Sequence, residues 1–210
     1  MTPVDSIKRV KEETIKYYPT RRIQSCGGIG IMAKSELIAA GFGGQGVMML
    51  GKLFADGGVI EGKFATFLPS YGPAMRGGTA NCTVITSDEE IGSPVLPNPE
   101  NVVVFNTPSY AMFEPLVKPG GTLIVNSSLI KEKSNRTDIN VVYINASEIA
   151  EEVAMSKATN VVLLGILMAK SKAASLESTK QAIKDYLGEK KAKFFDVNIK
   201  ALEAGYNFEG

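Results

Sequence analysis

Val102-Val103-Val104-Phe105 is an apolar run with no polar residue at alternate positions. A strand with one face in water alternates apolar and polar side chains, so an unbroken run needs cover on both faces. That requirement points to a parallel sheet buried between helices. The rest of the chain reads the same way. Short apolar runs at 36–40, 64–68, 80–86, 122–126 and 141–144 predict strands, with Pro69 ending the second. Segments 45–61, 109–117, 146–156, 161–172, 176–187 and 196–204 carry helical spacing. In 45–61, Val47, Leu50, Phe54 and Ile60 are expected on one face, and Gly57-Gly58 is expected to weaken the last turn. Pro115 is expected to interrupt 109–117. Strands alternating with helices predict an α/β fold, a three-layer α/β/α domain with a mostly parallel, Rossmann-like sheet. The helices crowd toward the C-terminus, so the winding is not fully regular. The 210 residues suffice for one domain.

Residues 1–33 read as an N-terminal extension to a single domain at 34–210. A short charged helix is expected before Pro19, and a flexible glycine-rich run follows around Cys26. From Met32 the pattern Met-Ala-Lys-Ser-Glu looks like a natural start followed at once by a strand. Codons for Gly27-Gly28 can spell a purine-rich ribosome-binding sequence just upstream. Either translation starts at Met32, or residues 1–31 are a genuine docking arm; the mass of the native protein decides.

The chemistry is bounded by what is missing. The chain has no histidine, and its two cysteines are Cys26 and Cys82. That removes the usual base near neutral pH, the serine–histidine and cysteine–histidine nucleophile pairs, and the commonest metal ligand. Two thiols cannot ligate an iron–sulfur cluster that needs four. Redox or acyl chemistry would then have to come from a cofactor or another chain. The net charge of +1 gives no field suited to nucleic acid. No apolar run has the length of a membrane span, and the N-terminus lacks a secretory pattern, so a cytoplasmic location is expected, with no membrane partner.

Gly41-Phe42-Gly43-Gly44-Gln45-Gly46 follows the first strand and opens a helix, with G-x-G-x-x-G spacing at Gly41, Gly43 and Gly46. Such a turn can admit a dinucleotide at the helix N-terminus. The acidic residue expected at the end of the second strand is absent: the sequence there is Phe67-Leu68-Pro69-Ser70-Tyr71. The alternatives are close packing of strand, turn and helix, or contact with a neighbouring subunit. The second notable stretch is Ser70-Tyr71-Gly72-Pro73-Ala74-Met75-Arg76-Gly77-Gly78-Thr79. Following a strand, it is expected at the carboxyl edge of the sheet, where sites form. Arg76, framed by glycines, suits a carboxylate or phosphate through its planar fork, or an ion pair that shapes the loop.

These residues carry a resemblance. From about Lys34 the chain resembles the gamma subunits of 2-oxoacid:ferredoxin oxidoreductases. It does so through the Gly41–Gly46 turn, the Ser70-Tyr71-Gly72-Pro73 and Arg76-Gly77-Gly78-Thr79-Ala80-Asn81 loop, Ile91-Gly92-Ser93-Pro94, and Asn160 with Gly165. Ala74 departs from the glutamate of many relatives. The resemblance implies the ketoacid oxidoreductase gamma-domain fold and a chain that is one part of a larger oxidoreductase. It implies alpha and beta partner subunits, possibly a delta subunit, and ferredoxin reached through the complex. Thiamine diphosphate, Mg2+ and iron–sulfur clusters are implied in those partners, with none bound by this chain alone. It also implies coenzyme A as co-substrate and, from the loop ending, 2-oxoglutarate ahead of 2-oxoisovalerate or pyruvate. No residue of this chain is expected to be catalytic. Gly41, Gly43, Gly44, Gln45, Gly46, Ser70, Tyr71, Gly72, Arg76, Gly77, Gly78 and Asn160 are expected at a subunit interface or active-site edge. A free-standing dinucleotide-binding oxidoreductase is the rival reading.

Other residues invite simpler readings. Cys82, inside an apolar strand, is expected to be a buried structural thiol. Lys190, Lys191 and Lys193 are expected on a solvated face, and Asp88-Glu89-Glu90 in a surface turn. Asn160 is expected to cap its helix, with a further role in holding the glycine-rich turn. Met48, Met49, Met75 and Met112 are expected in packing or interface positions.

Overall fold

The computed structural model describes residues 34–72, 78–153 and 156–209. The chain divides into two units, Met1–Ile31 and Met32–Gly210, and all described residues lie in the second. The 1–33 extension, its possible start at Met32, and Pro73, Met75, Arg76 and Gly77 lie outside the described residues, Met32–Ala33 included.

Among the described residues six strands form one sheet: β1 (Lys34–Phe42), β2 (Phe64–Tyr71), β3 (Thr79–Ser87), β4 (Asn101–Val104), β5 (Thr122–Asn126) and β6 (Asn140–Ile144), in the order β2-β3-β1-β4-β5-β6. β1, β4, β5 and β6 are mutually parallel, and β3 runs antiparallel to both β1 and β2. Five strands thus share one direction and β3 opposes it. Helices follow β1, β4 and β6, whereas β3 leads to β4 and β5 to β6 through segments without a helix, so the strand–helix alternation is incomplete.

Pro69 does not end the second strand, contrary to expectation. It sits inside β2, opposite Cys82. The Gly72 N–H donates to Thr79 O at 2.8 Å, so even-numbered residues of β2 face β3 and odd-numbered ones face the open edge. Pro69 therefore sacrifices no ladder bond, and its missing donor blunts the edge against pairing with another chain.

The helices are α1 (Val47–Ile60), α2 (Thr107–Phe113), α3 (Ala146–Val153), α4 (Thr159–Ser171), α5 (Leu176–Leu187) and α6 (Phe195–Tyr206). One face of the sheet, with Leu37, Ala39, Val84, Val103 and Ile124, packs against the α1, α3, α4, α5, α6 side. The other, with Ile38, Val102, Val104, Leu123 and Val125, is covered by α2 and the 127–139 segment. Pro115 closes α2 early, and 114–116 continues as a 3-10 turn. All four residues of β4 are buried, as the unbroken run required. α4 is buried from Asn160 through Met168, which is why its sequence is apolar all round. Its outer side is taken by α6. Gly165 and Gly205 make this contact: a Cβ on Gly165 would strike Leu202 O, and one on Gly205 would strike Val162 O.

The expected face of α1 needs one correction. Val47, Leu50 and Phe54 are buried, but Ile60 is 42% exposed. Six residues beyond Phe54 is a rotation of about 600°, off the buried stripe. The buried positions there belong to Gly57 and Gly58, and a Cβ on Gly58 would come within 2.8 Å of Thr86 Cγ2. Gly58 permits close helix–sheet contact, Gly57 lies against Ala174 and Thr179, and α1 runs on past both.

Cys82 is fully buried on β3 under α1, its Sγ 3.7 Å from Val47 O. Burial pushes its thiol up to about 12, so it is an inert core residue. Lys190, Lys191 and Lys193 are exposed, as are Asp88, Glu89 and Glu90. Met48 and Met49 pack against the core, whereas Met112 is exposed. No described helix is long and apolar enough to cross a membrane.

Candidate functional site: a cleft at the carboxyl edge

The strand order reverses between β1 and β4. α1 leaves β1 toward one face of the sheet and α2 leaves β4 toward the other, so the two turns diverge. Crevices at such a point are where α/β sheets bind ligands. A half-open cleft of about 420 Å³ lies there. It is bounded by the Gly44-Gln45-Gly46 turn, Phe105 at the end of β4, Asn126 at the end of β5, and the starts of α3 and α4.

The glycine-rich turn is held by its own chain. Gln45 folds back so that its Oε1 accepts from the Phe42 N–H at 2.6 Å and from Asn106 Nδ2 at 3.1 Å. Gly41 makes room for this, since a Cβ there would lie 2.7 Å from Gln45 Oε1. The Gly43 N–H donates to Gly78 O at 3.0 Å, which ties the turn to the end of the 70–78 loop. Gly44 and Gly46 adopt positive φ, 99° and 83°, a region that favours glycine. Gly46 faces Asn160, and a Cβ there would sit 2.6 Å from Asn160 Cγ.

Asn160 is not the cap of α4. Ala158 occupies that position without a side-chain bond, and Asn160 stands at the second helical residue. From there its Nδ2 donates to Gly46 O at 3.4 Å, the role of holding the turn. The cap preference fails here because the carboxamide is drawn away from its own backbone to a neighbouring segment.

Contacts within the chain therefore account for the G-x-G-x-x-G spacing. In a dinucleotide fold the second glycine lets a pyrophosphate approach; here the Gly43 amide is engaged by Gly78. The parallel neighbour of β1 is β4, not β2, and two residues past its end stands Asn106. Asn106 Oδ1 accepts from the Ser109 N–H at 3.0 Å and caps α2. Among the described residues no carboxylate lines the cleft where the ribose would be read.

The wall of the cleft has a definite polarity. Lys157 is its one charged side chain among the described residues. Asn126 is 1% exposed, with its Nδ2 3.4 Å from Ser147 Oγ and its Oδ1 without a partner. Met49, Phe105 and the exposed Leu129 supply apolar surface. The cleft thus offers a cation, an unused acceptor and the starts of helices, a set suited to an anionic ligand that also donates a hydrogen bond.

Of the residues expected at the site, Gly44, Gln45, Gly46 and Asn160 meet in the cleft, with Gly41 and Gly43 behind it. Gly72 and Gly78 flank the loop at the carboxyl edge, as expected of a segment after β2. Ser70 and Tyr71 are exposed on the edge strand and do not line the cleft. Arg76 and Gly77 lie outside the described residues. Sequence reasoning missed Asn106, Asn126, Ser147 and Lys157. Their signal was present for the two asparagines, each a polar residue ending an apolar strand run at the functional edge.

The donor set bears on cofactors. Among the described residues no group of three or more Cys, Asp or Glu could hold a metal ion, and Cys82 is sealed in the core. Among the described residues a single buried thiol does not fit an iron–sulfur cluster.

Comparison with known proteins gives the same placement. A family profile described as pyruvate ferredoxin/flavodoxin oxidoreductase matches residues 36–208. The chain is 37% identical over 167 residues to the ketoisovalerate oxidoreductase subunit VorA of Methanothermobacter marburgensis, covering 79% of this chain and 34% of that protein. It therefore spans about a third of the length of that relative. It is 30% identical over 179 residues to the 2-oxoglutarate synthase subunit KorC of Methanocaldococcus jannaschii, covering 84% of this chain and 94% of that one. The crystal structure of a keto/oxoacid ferredoxin oxidoreductase gamma subunit from Geobacter sulfurreducens superposes with a TM-score of 0.71 at 26% identity, over 82% of this chain and 96% of that chain. With the fold, the motifs and the matched length in agreement, the chain belongs to the pyruvate ferredoxin/flavodoxin oxidoreductase family.

Proposed function

We propose that this chain is the gamma subunit of a 2-oxoacid:ferredoxin oxidoreductase. In that complex 2-oxoglutarate, coenzyme A and oxidised ferredoxin give succinyl-CoA, carbon dioxide and reduced ferredoxin. The observation that carries this reading is the match to KorC along 94% of that relative's length, joined to a cleft at the carboxyl edge of the sheet lined by the glycine-rich turn and Asn160. Thiamine diphosphate, Mg2+ and the iron–sulfur clusters belong to the alpha, beta and, where present, delta partners. The cleft and the 70–78 loop face those partners, receive coenzyme A on its way to the reacting centre, and help exclude water from it. Arg76 lies in this loop, and Arg76→Ala is expected to impair assembly or turnover while the domain stays folded.

The higher identity to VorA favours a second substrate, 2-oxoisovalerate. Purification of the complex through a tag on this chain, followed by ferredoxin-dependent oxidation of each 2-oxoacid, tests both. A preference for 2-oxoglutarate supports the first reading, and a preference for branched-chain 2-oxoacids replaces it with the second. Recovery of this chain without alpha and beta partners would refute the gamma-subunit reading altogether.

A further inference from the structure

The orientation of the Gln45 carboxamide is fixed by two backbone donors. The Phe42 N–H donates to Gln45 Oε1 at 2.6 Å. The Ser109 N–H donates to Asn106 Oδ1 at 3.0 Å, which turns Asn106 Nδ2 toward the same Gln45 oxygen at 3.1 Å. A backbone N–H can only donate, so neither amide can be reversed without losing one of these bonds. Both acceptor sites of Gln45 Oε1 are thereby occupied. Gln45 also lines the cleft, and what it has left to offer a ligand is its Nε2 donor.

We propose that Asn106 is a positioning residue for the cleft: it holds Gln45 with Nε2, and not Oε1, available to the ligand. The proposal rests on the reading that the cleft receives coenzyme A. Gln45 is then a reader of an acceptor group, an amide carbonyl or a phosphate oxygen. Asn126 Oδ1, buried and unpartnered across the same cleft, takes a donor from the ligand. Asn106 itself does not line the cleft and acts through Gln45 alone. A second consequence is that the cap of α2 and the cleft share one hydrogen-bonded chain, Ser109 N–H to Asn106 to Gln45.

Asn106→Asp separates the two roles of Asn106. The aspartate still accepts from the Ser109 N–H, so α2 keeps a favoured cap, but it cannot donate to Gln45 Oε1. Its oxygen instead attracts Gln45 Nε2 and removes the donor from the cleft. Gln45→Met removes the donor at nearly constant shape. The test is a double-mutant cycle in the assembled complex, reading KM for coenzyme A, kcat and thermal midpoint.

Each single variant is expected to raise KM about ten-fold with kcat unchanged, the loss of one ligand hydrogen bond. The double variant is expected to match Gln45→Met and not to multiply to about a hundred-fold. The thermal midpoint of Asn106→Asp is expected to fall by only about 2–4 °C, because the turned Gln45 carboxamide gives up the Phe42 N–H bond while the α2 cap is kept. An equal Asn106→Asp effect in both backgrounds, or an effect on the thermal midpoint without one on KM, overturns the relay. If either variant fails to assemble, Gln45→Glu provides the comparison: it keeps both acceptor bonds and replaces the donor with a negatively charged acceptor, and an unchanged KM in it overturns the proposal. A wild-type complex whose turnover does not depend on coenzyme A refutes the underlying reading instead, an outcome distinct from all of these.

Discussion

Replacing Gly46 with alanine tests how the turn is built. Two costs are separable in the structure. The first is backbone: φ is 83° at Gly46, and an L-residue there costs about 1–2 kcal/mol. The second is steric: the new Cβ would lie 2.6 Å from Asn160 Cγ and Nδ2, and forcing atoms into a packed site costs about 1–3 kcal/mol. Together they come to about 3 kcal/mol, which lowers the melting temperature of a chain this size by about 6–12 °C. Asn160→Ala removes the obstructing carboxamide and leaves the backbone cost. In that background Gly46→Ala should cost only about 1.5 kcal/mol. Urea unfolding of the four proteins measures the coupling, expected near 1.5 kcal/mol. Additive effects would show that Asn160 yields freely and does not hold the turn. A negligible cost for Gly46→Ala in both backgrounds would refute the left-handed geometry itself.

Gly205→Ala should separate α6 from α4, since its Cβ would strike Val162 O; a loss of about 3 kcal/mol or more is expected, read by thermal unfolding. Cys82, with its thiol raised to about 12, should resist iodoacetamide at pH 8 in the folded chain and react on unfolding, followed by peptide mass spectrometry. Ser175→Ala removes the α5 cap, where Ser175 Oγ accepts from the Ser178 N–H at 3.1 Å, and should cost about 1 kcal/mol. Burial acts to raise Glu61, but hydrogen bonds from the Ser175 backbone and from the Ser175 and Ser178 hydroxyls, with Lys63 nearby, outweigh it and lower the pKa below 4.5. A lowered carboxylate stabilises the fold above its unfolded pKa and loses that contribution as pH falls through the folded value. Glu61→Gln should therefore flatten the acid limb of the stability profile below about pH 4.5, with little change in its slope at neutral pH.

Much of the fold was legible because burial leaves a local mark. The runs at 122–126 and 176–187 predict β5 and α5 to the residue, and the unalternating Val102–Phe105 run identified a doubly covered strand. Edges were harder to read. Pro69 looked like a strand end because a proline cannot donate, yet on the open side of an edge strand no donor is needed. Ile60 looked like core because it is apolar, yet the rotation of α1 gives the buried positions to two glycines. Asn160 looked like a cap because asparagine caps helices well, yet a partner 114 residues away claims its carboxamide.

The amino-acid sequence by itself determined the α/β class, the family, and the absence of histidine chemistry, because composition and hydrophobic period are properties of short windows. Tertiary structure alone decided that β3 opposes its neighbours, that Gly41 serves Gln45 and Gly46 serves Asn160, that Asn126 and Lys157 converge on one cleft, and that Asn106 stands behind it on Gln45. Those facts depend on contacts between segments far apart in the chain. A glycine records that space is needed, and only the folded molecule shows which side chain fills it.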